Sequence, residues 1–257
     1  MDLSVGARIL LCVLETCLRL TCLLNDLSAG RITAPEAERQ LGPLHHVHDA
    51  DEALGPGDPD PIASVPIRQP LARVAHRASP GTVWGLYPVA PGRLAGLRGP
   101  ARVNQEAMTA GVAVVCHASM PGAIPAGTAW IPTPVGPAVQ WQIHRAAPPL
   151  PPPTAPEAGQ QLRAVVSQVA ADLGRLETVA GRRPDALAPR LGRGHRHSDQ
   201  VLLDLAWTML AAADAGLETA GQMLTAHGTG IRETSLRRLR DAALDAVAAA
   251  SSWPQNS

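Results

Sequence analysis

The chain has 257 residues, a formal net charge of zero and 46% hydrophobic residues, so its composition is that of a folded protein and excludes a disordered chain. It contains no lysine, which excludes a P-loop lysine, a Schiff-base lysine and the lysine that pairs with ATP in kinases. It also contains no phenylalanine, and since the codons for both residues are AT-rich, the composition indicates a GC-rich bacterial genome.

The first predicted element is an apolar helix over Leu3–Leu27. Its most apolar run, Ile9–Leu24, is short for a membrane span and contains Glu15 and Arg19, each of which costs about 2.5–3.5 kcal/mol at a bilayer centre. We therefore expect a buried helix and no integral membrane insertion. The capping-box pattern Thr33-Ala34-Pro35-Glu36 then predicts a second, short helix, so that residues 3–44 form a helical hairpin. The same five residues, TAPEA, recur at Thr154–Ala158 and predict the start of another helix there.

The four cysteines, Cys12, Cys17, Cys22 and Cys116, include no C-x-x-C pair. The first three recur every five residues of one helix, which turns each about 140° from the one before, so they cannot share a face. This spacing favours buried thiols in a reducing compartment over disulfides or a zinc site. It predicts a cytoplasmic protein.

A polar, acidic loop is predicted from His45 to Pro61. His45, His46, His48 and Asp49 carry imidazole and carboxylate groups, which suit zinc or another divalent metal ion. In an extended stretch, His46 and His48 point to the same side of the chain. The alternative is a solvated loop without a ligand, and no cofactor is predicted beyond this candidate metal site.

Residues 65–145 have the pattern of a small antiparallel sheet. Short β-prone runs separated by proline and glycine turns predict strands at Thr82–Val89, Val112–Cys116, Thr128–Ile131 and Val139–Ile143. Three of them hold a tryptophan, and we expect Trp84, Trp130 and Trp141 to anchor one sheet core. A short helix is predicted at Gln105–Ala110. The short connections favour antiparallel over parallel pairing.

Cys116 and the adjacent His117 are the candidate catalytic residues. A nucleophilic cysteine needs a nearby histidine, a lowered pKa and access to substrate. Adjacent residues of a strand point to opposite faces, so His117 is poorly placed to activate Cys116. Burial of a small thiol at the end of a strand is therefore the favoured interpretation.

The segment Ala146–Pro156 is rich in proline and predicts an extended linker, because proline fits neither a helix interior nor an inner strand. Residues 157–250 are predicted to form a helical bundle and residues 251–257 a loose tail. Helices are expected at Gln200–Gly216 and Arg232–Ala250, with a short helix, Leu217–Ala226, between them. Apolar residues at 4-3-4-3 spacing form a seam that suits packing within the bundle or between chains: Leu162, Val166, Val169, Leu173 and Leu176.

Residues 1–145 and 157–257 each carry 11 arginines and 11 acidic residues, so any contact with nucleic acid must come from a local cluster. The segment Gln222–Arg240 resembles a helix-turn-helix, with Gly230 at the turn and Leu236 and Leu239 as buried residues. The resemblance implies DNA contacts from one set of side chains: Arg232, Thr234, Ser235, Arg237 and Arg238. An exposed row of arginines on a charge-balanced bundle is the alternative.

Together these patterns predict an α+β fold with a mixed domain at 1–145, a linker at 146–156 and a helical bundle at 157–250. For function they favour a bacterial cytoplasmic binding or interaction protein over an enzyme. The specific hypothesis is a nucleic-acid-associated accessory or regulatory protein that binds DNA through its C-terminal arginines. Two alternatives stay open: a metal-dependent or thiol enzyme centred on residues 45–144, and a homo-oligomeric structural partner that pairs through the 162–176 seam.

Overall fold

The computed structural model is mixed α+β, as the sequence predicts, with a six-stranded sheet and seven helices among the residues that it describes. Those residues are 5–42, 44–49, 51–55, 64–79, 81–120, 122–176, 187–218 and 226–254. They divide into two compact units. The sheet unit comprises Cys12–Pro152, Leu191–Arg196 and Ser251–Ser257, and the helical unit comprises Met1–Leu11, Pro153–Arg190 and His197–Ala250.

Helices and strands are mixed up to residue 145, and the described elements after it are all helices. The helices are α1 Val5–Ser28, α2 Ala34–Leu41, α3 Arg68–Arg77, α4 Ala101–Ala110, α5 Ala155–Gly174, α6 His197–Glu218 and α7 Ala226–Ser252. The strands are β1 His45–Asp49, β2 Val65–Pro66, β3 Val83–Pro88, β4 Val112–Ala118, β5 Thr128–Val135 and β6 Ala138–Arg145. The four predicted strands correspond to β3, β4, β5 and β6.

The sheet has the strand order β2-β1-β6-β5-β4-β3 and is antiparallel except between β1 and β6. That parallel pair, which places Val47 beside Trp141, corrects the expectation of a purely antiparallel sheet. The prediction of a loop from His45 onward is also wrong over 45–49. His45 and Val47 are both buried and His46 between them is exposed, which is the alternation of a strand. The sequence does not show this alternation, because one of the buried positions holds a polar residue, histidine.

The two faces of the sheet have different cores. The first face, called the tryptophan face, holds the predicted tryptophan core, and Trp84, Trp130 and Trp141 are all fully buried there. The rings of Trp130 and Trp141 meet edge to face with centroids 6.3 Å apart. The second, the α4 face, packs Tyr87 and Ile131 with residues of α4. Because side chains alternate along a strand, neighbouring residues of β6 point to opposite faces of the sheet.

Side chains cover the outer edge of β3. The side-chain amide of Asn25 donates to the Trp84 carbonyl and its oxygen accepts from the Trp84 N–H, each at 2.9 Å. The Leu86 N–H donates to Oγ of Ser252 at 3.0 Å. These bonds occupy backbone groups that would otherwise be open for pairing with another strand. Ser252, which the sequence places in the tail, lies in α7 and is buried.

The helix α3 was missed by the sequence analysis, which expected strands in this region. Ile67, Leu71 and Val74 are buried at helical spacing, and they form the apolar stripe of a helix of only ten residues. One face of α3 thus packs inward, and α3 also packs against α2. The remaining side chains of α3 do not belong to this buried stripe.

The two predicted capping boxes are confirmed. The Thr33 N–H donates to Oε2 of Glu36 at 2.7 Å, and the Thr154 N–H donates to Oε2 of Glu157 at 3.0 Å. The bond from the Thr33 backbone lowers the pKa of Glu36 below its ordinary value. Both helices begin where the sequence predicts because the contacts that start them lie within three residues.

The proline segment is attached to the sheet unit by its remaining N–H groups. Ala146 donates to the Gly127 carbonyl at 3.0 Å, and Leu150 donates to the Gly96 carbonyl at 2.9 Å. Gly127 has a φ of 93°, and a Cβ there would lie 2.1 Å from the carbonyl oxygen of Ala146, so this close approach requires glycine.

In the helical unit, α5 packs against α6 with a stripe that differs from the predicted seam. Its buried residues are Ala158, Gly159, Leu162, Val165 and Val169, whereas Val166, Leu173 and Leu176 of the seam are half-buried. Pairing of that seam between chains stays a prediction. Among the described helices, α6 is long and apolar enough to cross a membrane, but core helices of folded proteins meet the same criterion.

The last helix contradicts the predicted helix-turn-helix. α7 runs without a break from Ala226 through Gly228 and Gly230, so the turn expected at Gly230 is absent from this part of the chain. Residues 222–225, which belong to the first half of that motif, lie outside the described residues, as does most of the predicted helix Leu217–Ala226. Glycine costs about 1 kcal/mol in a helix interior, and here the apolar residues that follow hold the helix in spite of it.

Candidate functional site

A cavity of about 630 Å³ lies between α3, the turn at 51–55 and the end of β6. Its volume is in the range of pockets that bind small molecules. Three arginines and a histidine contribute to its wall, and its described lining residues are Ala53, Leu54, Gly55, Ala72, Arg73, His76, Arg77, Pro125 and Arg145. None of these described residues is a carboxylate, so together they give the wall a net positive charge.

The basic side chains of the cavity come mainly from α3. Because Leu71 and Val74 face the core, Arg73, His76 and Arg77 are left on the neighbouring side of the helix, at spacings of three and four residues. His76 is exposed, and the two arginines are half-buried. Within the described part of the chain, neither arginine forms an ion pair. Two like charges one helical turn apart are thus held at the cavity without a counter-charge.

The third arginine, Arg145, is held in place by the turn. Its Nη2 donates to the carbonyl of Glu52 at 3.0 Å, and its backbone N–H donates to Oδ2 of Asp51 at 3.1 Å. Glu52 adopts a φ of 48°, a conformation that costs free energy for a residue with a side chain. The bond from Nη2 to the Glu52 carbonyl restricts the orientation of the Arg145 guanidinium.

Hydrogen bonds to the Asp49 carboxylate stabilise the same turn. Its carboxylate accepts from the N–H groups of Ala53 and Leu54, at 2.8 and 3.0 Å. Ala53 and Leu54 are both buried, so the floor of the cavity is part of the folded core. Asp49, a candidate metal ligand, therefore has a structural role in this arrangement.

On the α4 face, at the end of β6, charged side chains pair with one another around His144. His144 is 2% exposed; its Nδ1 accepts from Nη2 of Arg102 at 3.0 Å, and its Nε2 lies 2.7 Å from Oε2 of Glu106. Arg102 also contacts Oδ1 of Asp51 at 3.3 Å. Every charged group of this cluster has a partner of the opposite sign, which fits a role in joining α4 and the turn to the sheet.

The candidate metal ligands His45 and His48 have partners within the sheet. Nδ1 of His45 accepts from the indole N–H of Trp141 at 3.1 Å, and the two rings are stacked. Burial lowers the pKa of His45, so the neutral ring that accepts this bond is favoured. Nδ1 of His48 lies 2.9 Å from Oε1 of Gln142.

His46 is exposed and points away from His45, on the same face as His48. Among the described residues, no group of three or more His, Cys, Asp or Glu side chains is placed to hold a metal ion. The metal site at 45–49 remains a prediction from the sequence.

Cys116 and His117 lie on opposite faces of β4. Cys116 is fully buried, its Sγ donates to the Ala118 carbonyl at 3.4 Å, and burial raises its pKa to about 12. Burial lowers the pKa of His117, whose ring meets the edge of Trp253 with centroids 5.1 Å apart. A protonated thiol without a neighbouring base is not an activated nucleophile.

The side chains of α7 that were predicted to meet DNA fall into two groups. Thr234, Arg237 and Arg238 are exposed, and Arg237 pairs with Glu233. Ser235 is buried and Arg232 is half-buried. The further arginine of this helix, Arg240, is bound to Asp214 of α6 at 2.7 Å. Two of the four arginines of α7, Arg237 and Arg240, are thus paired within their own unit.

The basic cavity was missed by the sequence analysis. The signal was present as an R-x-x-H-R pattern at Arg73, His76 and Arg77, which places three basic groups together if the segment is helical. The strand-rich pattern predicted for residues 65–145 hides this signal, because three residues at these spacings do not share a face of a strand. Arg145 could not be linked to it from the sequence, since 68 positions separate it from Arg77.

A protein-family model described as "Rv1486c-like protein, N-terminal domain" matches residues 18–157, more than half of the chain. The chain belongs to this family. The matched region contains all the residues that line the cavity and ends before α6 and α7 begin. No curated protein and no solved structure matches the chain.

Proposed function

We propose that this member of the Rv1486c-like family is a binding protein that takes a small anionic ligand in the cavity between α3, the 51–55 turn and β6. One observation carries the proposal: three guanidinium groups line a cavity of about 630 Å³, and none of its described lining residues is a carboxylate. Guanidinium groups form forked, charge-assisted hydrogen bonds with phosphate and carboxylate oxygens. An anion would neutralise the charges of Arg73 and Arg77, which form no ion pair with a described residue.

The cavity also has features of a binding site. Its described lining residues are arginine, histidine, alanine, glycine, leucine and proline, which include three anion-binding guanidinium groups and no serine, threonine, cysteine or carboxylate. The hydrogen bond from the Arg145 guanidinium to the Glu52 carbonyl restricts that side chain, which lowers the entropic cost of binding. The proposed function is therefore recognition of an anion.

Titration calorimetry of the full chain with phosphate, sulfate, pyrophosphate and citrate at low ionic strength tests the proposal. We expect saturable binding that weakens about tenfold in Arg73→Gln and in Arg77→Gln, since each loses a charged fork. Arg68→Gln is the matched control, because Arg68 lies on the same helix but pairs with Glu38 at 2.6 Å. Absence of binding by every anion, or an equal loss in the control, would overturn the proposal.

A second candidate function is contact with duplex DNA through α7. It is supported by the exposure of Thr234 and Arg238, which lie one turn apart on that helix. We expect the full chain to bind duplex DNA with an affinity whose dependence on salt weakens in Arg238→Ala. A salt dependence identical to that of the unmodified chain would remove α7 from the interface.

A further inference from the structure

We infer that the ligand of the basic cavity is an oligophosphate, meaning at least two linked phosphoryl groups, with inorganic pyrophosphate as its simplest form. The inference rests on the proposed function, because it names the chemical class of the anion for the same cavity. It depends on three features of the described residues: the arginines come from two elements, no aromatic ring is among the described lining residues, and one turn contacts two of the guanidinium groups.

The arginines form two groups on two sides of the cavity. Arg73 and Arg77 are one helical turn apart on α3, which separates their Cβ atoms by about 6 Å, while Arg145 comes from the end of β6. Three guanidinium forks offer more N–H donors than the oxygens of one phosphate or carboxylate accept one to one. Two linked phosphoryl groups supply more negative oxygens, spread over a longer distance, for arginines that come from two elements.

The rest of the cavity offers little to any other part of a ligand. Its apolar wall consists of small or buried residues, Ala53, Leu54, Ala72 and Pro125. No phenyl, indole or phenol ring lines it, so the stacking surface that nucleobases require is absent from the described lining. Recognition must therefore come from the phosphates themselves, and a nucleoside attached to them would contribute little.

The 52–55 turn contacts both Arg77 and Arg145. The carbonyl of Glu52 accepts from Nη2 of Arg145 at 3.0 Å and from the N–H of Gly55 at 2.9 Å. Gly55 in turn lies directly against Arg77: a Cβ added there would be 2.5 Å from Nη1 of that arginine. A continuous chain of contacts thus connects the two guanidinium groups through one carbonyl and one glycine.

Gly55 is consequently a positioning residue for the length of the ligand. Its φ of 94° and its missing Cβ both allow the Arg77 guanidinium to lie on the turn. In Gly55→Ala the new methyl group would push Arg77 away while leaving the charge in the cavity. We expect this variant to keep affinity for a single phosphate and to lose its preference for two.

The test is titration calorimetry of the full chain at constant ionic strength with phosphate, pyrophosphate, AMP, ADP and citrate as probes. We expect pyrophosphate and ADP to bind about tenfold more tightly than phosphate and AMP, because only the first two carry linked phosphoryl groups, and more tightly than citrate, whose carboxylates each offer fewer oxygens than a phosphoryl group. Equal affinity for citrate and pyrophosphate would overturn the inference and leave the anion-binding function intact. Absence of binding by all five probes would remove both.

Gly92→Ala is the matched control for Gly55→Ala. Gly92 has a similar φ of 81°, but nothing lies within 4 Å of an added Cβ, so it reproduces the backbone strain without touching an arginine. We expect the two variants to lower the melting temperature by a similar amount, and only Gly55→Ala to abolish the preference for pyrophosphate. An unchanged preference in Gly55→Ala, with folding verified by the melting temperature, would contradict the assigned role of the turn.

Discussion

The arginines of α7 and those of the basic cavity differ in what neutralises them. On α7, Arg237 pairs with Glu233 and Arg240 pairs with Asp214, so much of the charge that drew attention in the sequence belongs to the fold. At the cavity, Arg73 and Arg77 have no such partner among the described residues. A row of basic residues in a sequence therefore points to a ligand only after its partners in the tertiary structure are known.

Arg240 pairs with a buried carboxylate, whereas Arg73 and Arg77 form no ion pair with a described residue. Asp214 is buried at 7% exposure, and its pKa is raised because desolvation outweighs the neighbouring Arg240. Arg240 is therefore needed to compensate a carboxylate that the fold removes from water. Nothing comparable depends on Arg73 or Arg77, whose mutual repulsion opposes folding.

Among the variants that test this comparison, we expect Arg240→Met to change the free energy of unfolding most. It leaves the buried Asp214 carboxylate uncompensated and should lower the free energy of unfolding by about 3 kcal/mol at neutral pH. Chemical denaturation monitored by circular dichroism measures this loss. The double variant Arg240→Met/Asp214→Asn should recover most of it, because the buried charge is then gone.

The same variant has a pH dependence with a defined sign. A carboxyl group whose folded-state pKa lies above its unfolded value stabilises the fold at low pH, and this stabilisation is lost as the pH rises through the folded pKa. Removing Arg240 raises the pKa of Asp214 further. The destabilisation by Arg240→Met should therefore shrink on acidification, and a penalty that is constant between neutral and mildly acidic pH would break the comparison.

A smaller effect is expected for Asp51→Asn at the turn that borders the cavity. Asp51 contacts Arg102 and accepts the N–H of Arg145, so loss of its charge should cost about 1 kcal/mol. Glu52→Gln is the matched control, since only the backbone carbonyl of Glu52 is used and its side chain is exposed. Equal melting temperatures for the two variants would show that the paired cluster on the α4 face does not stabilise the turn.

The smallest effect is expected for the double variant Arg73→Gln/Arg77→Gln. Because these arginines are unpaired and repel each other, their removal should change the free energy of unfolding by less than about 0.5 kcal/mol, in the direction of greater stability. Denaturation in the absence of added anions measures it. A loss larger than the one caused by Asp51→Asn would mean that these arginines are part of the fold, contrary to the comparison.

Much of the fold was predictable wherever neighbouring residues decide it. The four strands of the 83–145 region were correctly placed, and so were the helices after Thr33 and Thr154. In contrast, β1 was predicted as a loop because its buried position holds His45, a polar residue that becomes acceptable only beside Trp141. The site itself was missed, since Arg145 meets the other cavity residues only after the sheet and α3 have formed.

The sequence by itself determined the elements whose decisive contacts span a few residues. The capping boxes at Thr33 and Thr154 are the clearest cases, because each is completed by a glutamate three positions later. Only the tertiary structure decided which arginines are neutralised. Asp214 and Arg240 are 26 residues apart, and the turn at Glu52 lies 93 residues from Arg145. Charge interactions depend on distance and burial, which composition and local spacing do not specify.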